Sequence, residues 1–261
     1  MILDDLTNVT KVRIAKEKAA LPLDDLKKQI NYDAITYDFP FETALRKPKM
    51  SFICEIKRAS PSKGDIKTKI DVEQLAKAYQ QAETTAISVL TEPDYFKGTL
   101  ADLQQVTGAV DVPVLRKDFT VDPYMIYQAK TAGASVILLI CAILDDNQLH
   151  EYFEIANQLG LSVIFEAHNE TEIKRAIAAG ARIIGINNRN LKNFTVNMDN
   201  SKQLRELVPD DILFISESGI KSHAEIAELE AIGVNGALIG ETMMLADDKA
   251  QKLKELAHGQ N

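Results

Sequence analysis

From residue 51 to the end of the chain, short apolar runs alternate with amphipathic stretches. Eight runs stand out: FICEIK (52–57), AISVL (86–90), PVLRKD (113–118), VILLIC (136–141), SVIFEA (162–167), IIGINN (183–188), ILFISES (212–218) and GALIG (236–240). Between them lie segments such as DVEQLAKAYQQA, DDNQLHEYFEIANQLG and ETEIKRAIAAG, whose apolar residues recur at helical spacing. Many of these open on Asp, Ser or Asn, which cap helix N-termini. Several close on a glycine (Gly133, Gly160, Gly180, Gly233) suited to a left-handed helix end.

Near-continuous apolar strands alternating with helices mean a parallel sheet covered by its helices. Eight such units in about 200 residues fit a closed barrel better than an open doubly wound sheet. No GxGxxG follows the first strand and no GxxxxGK[ST] occurs, so the usual nucleotide signatures of open sheets are missing. The expected fold is α/β, a single (β/α)8 TIM barrel over residues 51–261, preceded by a helical extension over 1–50. In that extension, MILDDLTNVTKVRIAKEKAA and LPLDDLKKQI read as two helices, and the segment near Phe39 to Phe41 leads into the first strand. The extension either plugs one end of the barrel or helps to close its pocket.

Composition narrows the partners. A hydrophobic share of 46% in 261 residues supplies a full core, and this length is consumed by one barrel and its helices, with no fused second barrel. The net charge of -8 argues against nucleic acid, so an anionic ligand must be held by a local cluster of cations. Cys54 and Cys141 sit inside apolar runs without CxxC or Cys/His spacing and read as buried free thiols of a reducing compartment. The N-terminus lacks a basic segment followed by an apolar one, and no run approaches the ~18 apolar residues of a membrane span. A cytoplasmic protein is expected, with no membrane partner and no obligate protein partner.

In barrels of this kind the chemistry sits at the carboxyl ends of the strands. Here the first strand ends in Glu55 and Lys57, the third in Lys117 and Asp118, the fifth in Glu166, the sixth in Asn187 and Arg189, and the seventh in Glu217 and Ser218. Charged groups at the rim of an apolar core lose hydration and need a partner or a ligand. One pair alone reads equally well as a salt bridge between strand ends; five strands ending in charge or amide point to a site. A period of two places Glu55 and Lys57 on one face of their strand. Gly219 and Gly240 follow the last two strands, where barrels often hold a phosphate. The basic loop SPSKGDIKTKI, which contains Ser60, is a candidate lid. Phe96 and Phe119 follow the second and third strands and either pack an aromatic substrate or fill core. Among four histidines only His168 lies near a strand end, and it reads as structural or as support for a neighbour, so no metal is implied.

Taken in order, EIKRASPSKGDI, SVLTEPDYFKGTLADL, VLRKDFTVDPYMIYQA, AGASVILLI, IGINNRNL, SESGI and GALIGETMM resemble the strand-end motifs of the indole-3-glycerol phosphate synthase family of tryptophan biosynthesis. The opening ILDDL…KVRIAKEKAALPLDDL resembles that family's additional N-terminal helices, so the likeness covers nearly the whole chain. It implies closure of 1-(2-carboxyphenylamino)-1-deoxyribulose 5-phosphate to indole-3-glycerol phosphate with loss of CO2 and water, and no redox or metal cofactor. By that resemblance Lys117 is the general acid at the ribulose carbonyl and Glu166 the general base of the dehydration. Lys57 is the second ammonium, which binds anionic groups of the substrate and donates a proton as water leaves. Glu55, Asn187, Glu217 and Ser218 complete a polar pocket, Arg189 is the candidate for the carboxylate, and Phe96 and Phe119 wall the anilino ring. The phosphate is expected at Lys57 and the backbone amides near Gly219, Gly240 and Glu241. Position 241 carries an anion, so only its backbone N–H can serve there.

Two expectations are physical. A lysine among other cations has a lowered pKa, which would make Lys117 a usable acid near neutrality. Glu55 would orient Lys57 until the substrate's anions arrive. The rival readings are a Schiff-base aldolase, which uses buried lysines at barrel strand ends, and a sugar-phosphate-binding barrel without turnover.

Overall fold

The computed structural model describes residues 2–190 and 194–259. Its strands are β1 (Ser51–Ile56), β2 (Ala59–Ser60), β3 (Gly64–Asp65), β4 (Ala86–Leu90), β5 (Val114–Lys117), β6 (Val136–Ile140), β7 (Ser162–Ala167), β8 (Ile183–Asn187), β9 (Leu213–Glu217) and β10 (Gly236–Ile239). Eight of them close a barrel in the order β1-β10-β9-β8-β7-β6-β5-β4, with every neighbour parallel. All eight apolar runs of the sequence become its staves. The remaining two strands, β2 and β3, pair as a small hairpin within the SPSKGDI loop.

Side-chain alternation divides the core in two. Cys54, Ile56, Phe165 and Phe214 pack outward against the helices, whereas Ile53, Leu115, Ile164 and Ile215 pack inside the barrel. Two residues further along the same four strands stand Glu55, Lys117, Glu166 and Glu217. These strands are the alternate staves of the barrel, and side chains from alternate staves share a layer. An apolar layer is thus overlaid by an ionic one at the mouth.

The helices follow their local chemistry. Asp71, Asp122, Asp145 and Asn169 accept backbone N–H groups at helix starts, and Thr99 and Ser222 build capping boxes. Gly133, Gly160, Gly180 and Gly233 follow helix ends with positive φ.

The residues before β1 serve both ends of the barrel. Helix Ile2–Ala20 crosses the mouth, where Leu6 joins the interior cluster, and Arg13 donates to the Thr91 carbonyl and to both oxygens of Asp118 at 2.8 Å. Helix Pro40–Leu45 closes the base, where Phe41 and Leu45 are fully buried in the interior cluster. There Glu42 receives Arg182 at 2.9 Å and Ser162 at 3.2 Å. Of the segments read as helices, Ile2–Ala20 lies at the mouth, whereas the base is covered by Pro40–Leu45, a stretch read from sequence only as leading into the first strand. Among the described residues no helix is long and apolar enough to cross a membrane. Burial pushes the free thiols of Cys54 and Cys141 up to about 12.

Candidate active site

A cavity of about 740 Å³ opens at the carboxyl ends of the strands, and every residue expected at the site from sequence lines it. The outermost residue of the INNRNL motif, Leu191, lies outside the described residues. At the centre, Lys117 Nζ donates to Glu166 Oε2 at 2.9 Å and lies 3.1 Å from Glu217 Oε2. Asn187 Nδ2 donates to Glu166 Oε1 at 3.3 Å, while its own Oδ1 accepts the Arg189 backbone N–H at 3.0 Å. Beside this cluster, Lys57 Nζ donates to Glu55 Oε1 at 2.5 Å. The carboxylate and ammonium that share a strand face in the sequence are therefore an ion pair in the fold.

The electrostatics correct one expectation. Lys117 is surrounded by carboxylates, not cations. Burial alone would lower its pKa, but Glu166, Glu217 and Glu55 outweigh burial and raise it well above the ordinary lysine value. Burial would raise Glu166, yet Lys117 and His168 hold it below the usual carboxylate range. Glu217 goes the other way: burial, with repulsion from Glu166 and Glu55, exceeds the pull of Lys117 and pushes it up to about 7. Its Oε1 is buried with no hydrogen-bond partner among the described residues. A lysine held protonated this firmly does not suit Schiff-base chemistry, which needs a neutral amine.

Two glycines make room for these carboxylates. A Cβ on Gly185 would stand 2.4 Å from Glu217 Oε1, and one on Gly240 would stand 2.5 Å from Glu55 Oε1 and 2.8 Å from Lys57 Nζ. Gly240 thus accommodates the Glu55–Lys57 pair at the corner expected to receive phosphate. Ser218 and Gly219 turn the chain at the mouth with φ of 69° and 94°. The Glu241 side chain turns to Lys63 of the hairpin loop, at 3.3 Å. Arg189 reaches the same loop, donating to Ser62 Oγ at 3.1 Å. The loop after β1 is therefore bound to both sides of the mouth.

Phe96 and Phe119 face each other with ring centroids 6.2 Å apart. Their placement depends on two carboxylates that sequence reasoning left without a role. Glu92 is buried and accepts the backbone N–H groups of Asp94, Tyr95 and Phe96. Asp118 is buried among Arg13, Arg116 and Thr91 and accepts the Phe119 N–H at 2.8 Å. Burial would raise Asp118, but Arg116 and Arg13 hold it below the usual carboxylate range. The one available signal was an acid just past the end of a strand. Among the described residues no group of three or more His, Cys, Asp and Glu side chains is arranged to hold a metal ion.

The family model for indole-3-glycerol phosphate synthase matches residues 3–256. The indole-3-glycerol phosphate synthase of Leuconostoc mesenteroides is 55% identical over 258 residues, covering 98% of each chain, and that of Lacticaseibacillus paracasei is 51% identical over 251 residues, covering 96% of each. Among solved structures, a 3-hexulose-6-phosphate synthase superposes with a TM-score of 0.65 at 19% identity, over 81% of this chain and all of that one. A chain of the tryptophan synthase complex of Pyrococcus furiosus gives 0.57 at 14% identity, over 79% of this chain and 97% of that one. These two share the fold.

Proposed function

The chain belongs to the indole-3-glycerol phosphate synthase family, carboxy-lyases of tryptophan biosynthesis, and from that premise we propose how its residues divide the reaction. The substrate's phosphate meets Lys57 and the backbone amides near Gly219, Gly240 and Glu241, its carboxylate meets Arg189, and its ring lies between Phe96 and Phe119. Ser60 and Ser218 line the same cavity. The protein works in the cytoplasm on this small anionic sugar phosphate.

Ring closure puts negative charge on the ribulose carbonyl oxygen, and Lys117 supplies its proton. Its raised pKa keeps that proton in place until an oxyanion more basic than a carboxylate develops. Loss of CO2 then returns electrons to the six-membered ring, so no external electron sink is required. As the hydroxyl leaves as water, Lys57 protonates it and Glu166 removes the proton from carbon. Neutralising Glu166 also weakens the attraction that holds the Lys117 proton 2.9 Å away, which couples the two groups. Glu55 orients Lys57, and Asn187 and Glu217 orient the Lys117–Glu166 pair.

The carrying observation is that ion pair, set at the floor of a cavity whose rim holds a second ammonium and two facing rings. The test is indole fluorescence on adding 1-(2-carboxyphenylamino)-1-deoxyribulose 5-phosphate. Lys117→Ala and Glu166→Gln should each lose about a hundredfold to ten-thousandfold in kcat. Near-normal turnover in either variant would overturn the assignment of that residue.

A further inference from the structure

A phosphate at the amides near Gly219, Gly240 and Glu241 meets a repulsion built into this chain. The residue that offers the last of these amides also carries a carboxylate, and a phosphate monoester is close to a dianion at neutral pH. Like charges this near to one another repel across a partly desolvated mouth. Lys57 does not settle the balance alone, because its Nζ is already engaged by Glu55 Oε1 at 2.5 Å. On the other flank, Glu225 accepts the backbone N–H groups of Lys221 and Ser222, and Lys221 is exposed.

The cation that meets the Glu241 carboxylate is Lys63. Its Nζ lies 3.3 Å from Glu241 Oε1, and both residues line the substrate cavity. The two side chains are 53% and 36% exposed, so the pair adds little to the stability of the fold. A short hairpin delivers the lysine: Ser60 pairs with Gly64 across β2 and β3, and the Lys63 N–H returns to the Ser60 carbonyl at 3.2 Å. The base of that hairpin is fixed to the neighbouring unit, where Arg58 donates to Asp102 Oδ2 at 2.6 Å and to the Lys97 carbonyl at 3.0 Å, and Lys97 donates to Asp65. Beside Lys63 at the tip, Ser62 accepts from Arg189 at 3.1 Å. The anchored hairpin thus holds an ammonium at the corner proposed for the phosphate.

We propose that Lys63 is a further phosphate-binding residue of this chain, and that Glu241 is its positioning partner. One N–H of the ammonium stays on Glu241 Oε1 and cancels the charge that would repel the ligand. The other two donate to phosphate oxygens, since an ammonium has three donors and no acceptor. Glu241 holds a long, flexible side chain at the corner before substrate arrives, which lowers the entropy lost on binding. The pair therefore makes this corner select a phosphate monoester over the free alcohol.

This inference rests on the placement of the phosphate proposed above, and one set of titrations separates the two. Fluorescence titration with indole-3-glycerol phosphate and with indole-3-glycerol, its dephosphorylated form, gives the contribution of the phosphate in each variant. Lys63→Ala should raise the Kd of the phosphate ester about tenfold and leave that of the alcohol within about twofold. Glu241→Gln should bind the ester at least as tightly as wild type. In the double variant the loss from Lys63→Ala should shrink to about threefold, because no carboxylate remains to repel the phosphate. High salt should reduce the difference between the single and double variants. Lys57→Met should also lose preference for the ester. If Lys57→Met loses it and Lys63→Ala does not, the role of Lys63 fails and the phosphate placement stands; if neither loses it, both fail. An equal cost of Lys63→Ala with and without Glu241→Gln would overturn the positioning role of Glu241. An equal loss of ester and alcohol would make Lys63 a loop residue and overturn the proposal, as would a larger loss of ester binding in Lys221→Ala than in Lys63→Ala.

Discussion

Arg13 grips both carboxylate oxygens of Asp118 at 2.8 Å, and Asp118 is the residue that follows Lys117. The first helix of the chain is thereby fastened to the end of β5. Arg13→Ala would leave Asp118 with Arg116, Thr91 and the Phe119 N–H, at a cost of about 2 kcal/mol. Because the same carboxylate holds the backbone turn into Phe119, kcat should fall by about tenfold as Lys117 loses its setting. Urea denaturation and steady-state kinetics on one variant measure both. Unchanged stability would show that the helix is not anchored through this pair.

Glu217 makes stability depend on pH in an uncommon direction. Its folded pKa of about 7 lies above the ordinary 4.5, so between those values the native state binds more protons than the unfolded chain. This contribution falls as pH rises through that window, since the anion is the form the fold disfavours. Glu217→Gln should therefore gain stability relative to wild type between pH 5 and pH 8, by on the order of 2 kcal/mol. Equal differences at both pH values would mean that Glu217 is ionised throughout.

Gly185 has no space for a methyl group. In Gly185→Ala the new Cβ would crowd Glu217 Oε1 and also stand 2.9 Å from Ile164 Cγ2. A stability loss of about 1–3 kcal/mol is expected from such overpacking. Displacement of Glu217 should also lower kcat by at least about tenfold, since positioning errors near 1 Å cost that much or more. A variant with normal kcat would show that the position of Glu217 does not matter to turnover.

Glu55→Gln removes the charge that pins Lys57. KM should rise by about tenfold as the ammonium loses its fixed orientation. Kinetics indistinguishable from wild type in both KM and kcat would remove the orienting role from Glu55.

The staves of the barrel were legible because burial on both faces writes each one as an unbroken apolar run. The ionic layer was legible in part for the same reason: Glu55, Lys117, Glu166 and Glu217 each interrupt such a run near its end. What could not be read was who meets whom. Lys117 and Glu166 are 49 positions apart, and only barrel register makes them neighbours. The neighbouring cation Arg116 does not share the Lys117 setting either, because alternation sends it outward to the Met125 carbonyl and Gln128. Gly240 was read for its place at a phosphate corner and Gly185 was not singled out, since the side chains they accommodate come from other strands. His168 was visible as the lone histidine near a strand end, and its partner Glu172 comes from the first turn of the following helix.

The helices that cover the two ends of the barrel also set an order of events. Their partners come late in the chain: Asp118 for Arg13, Arg182 for Glu42, and Gly236 against Leu45. Contacts of such long range form only after the intervening segments are in place. During synthesis residues 2–45 leave the ribosome before β5, β8 and β10, and these partners are absent until those strands have followed. Pulse-labelling by hydrogen exchange should find helix Ile2–Ala20 protected after the staves. Helices made before their partners thus settle after them, and a chain interrupted before β10 would leave helix Pro40–Leu45 without its contact at Gly236, its apolar face available to chaperones.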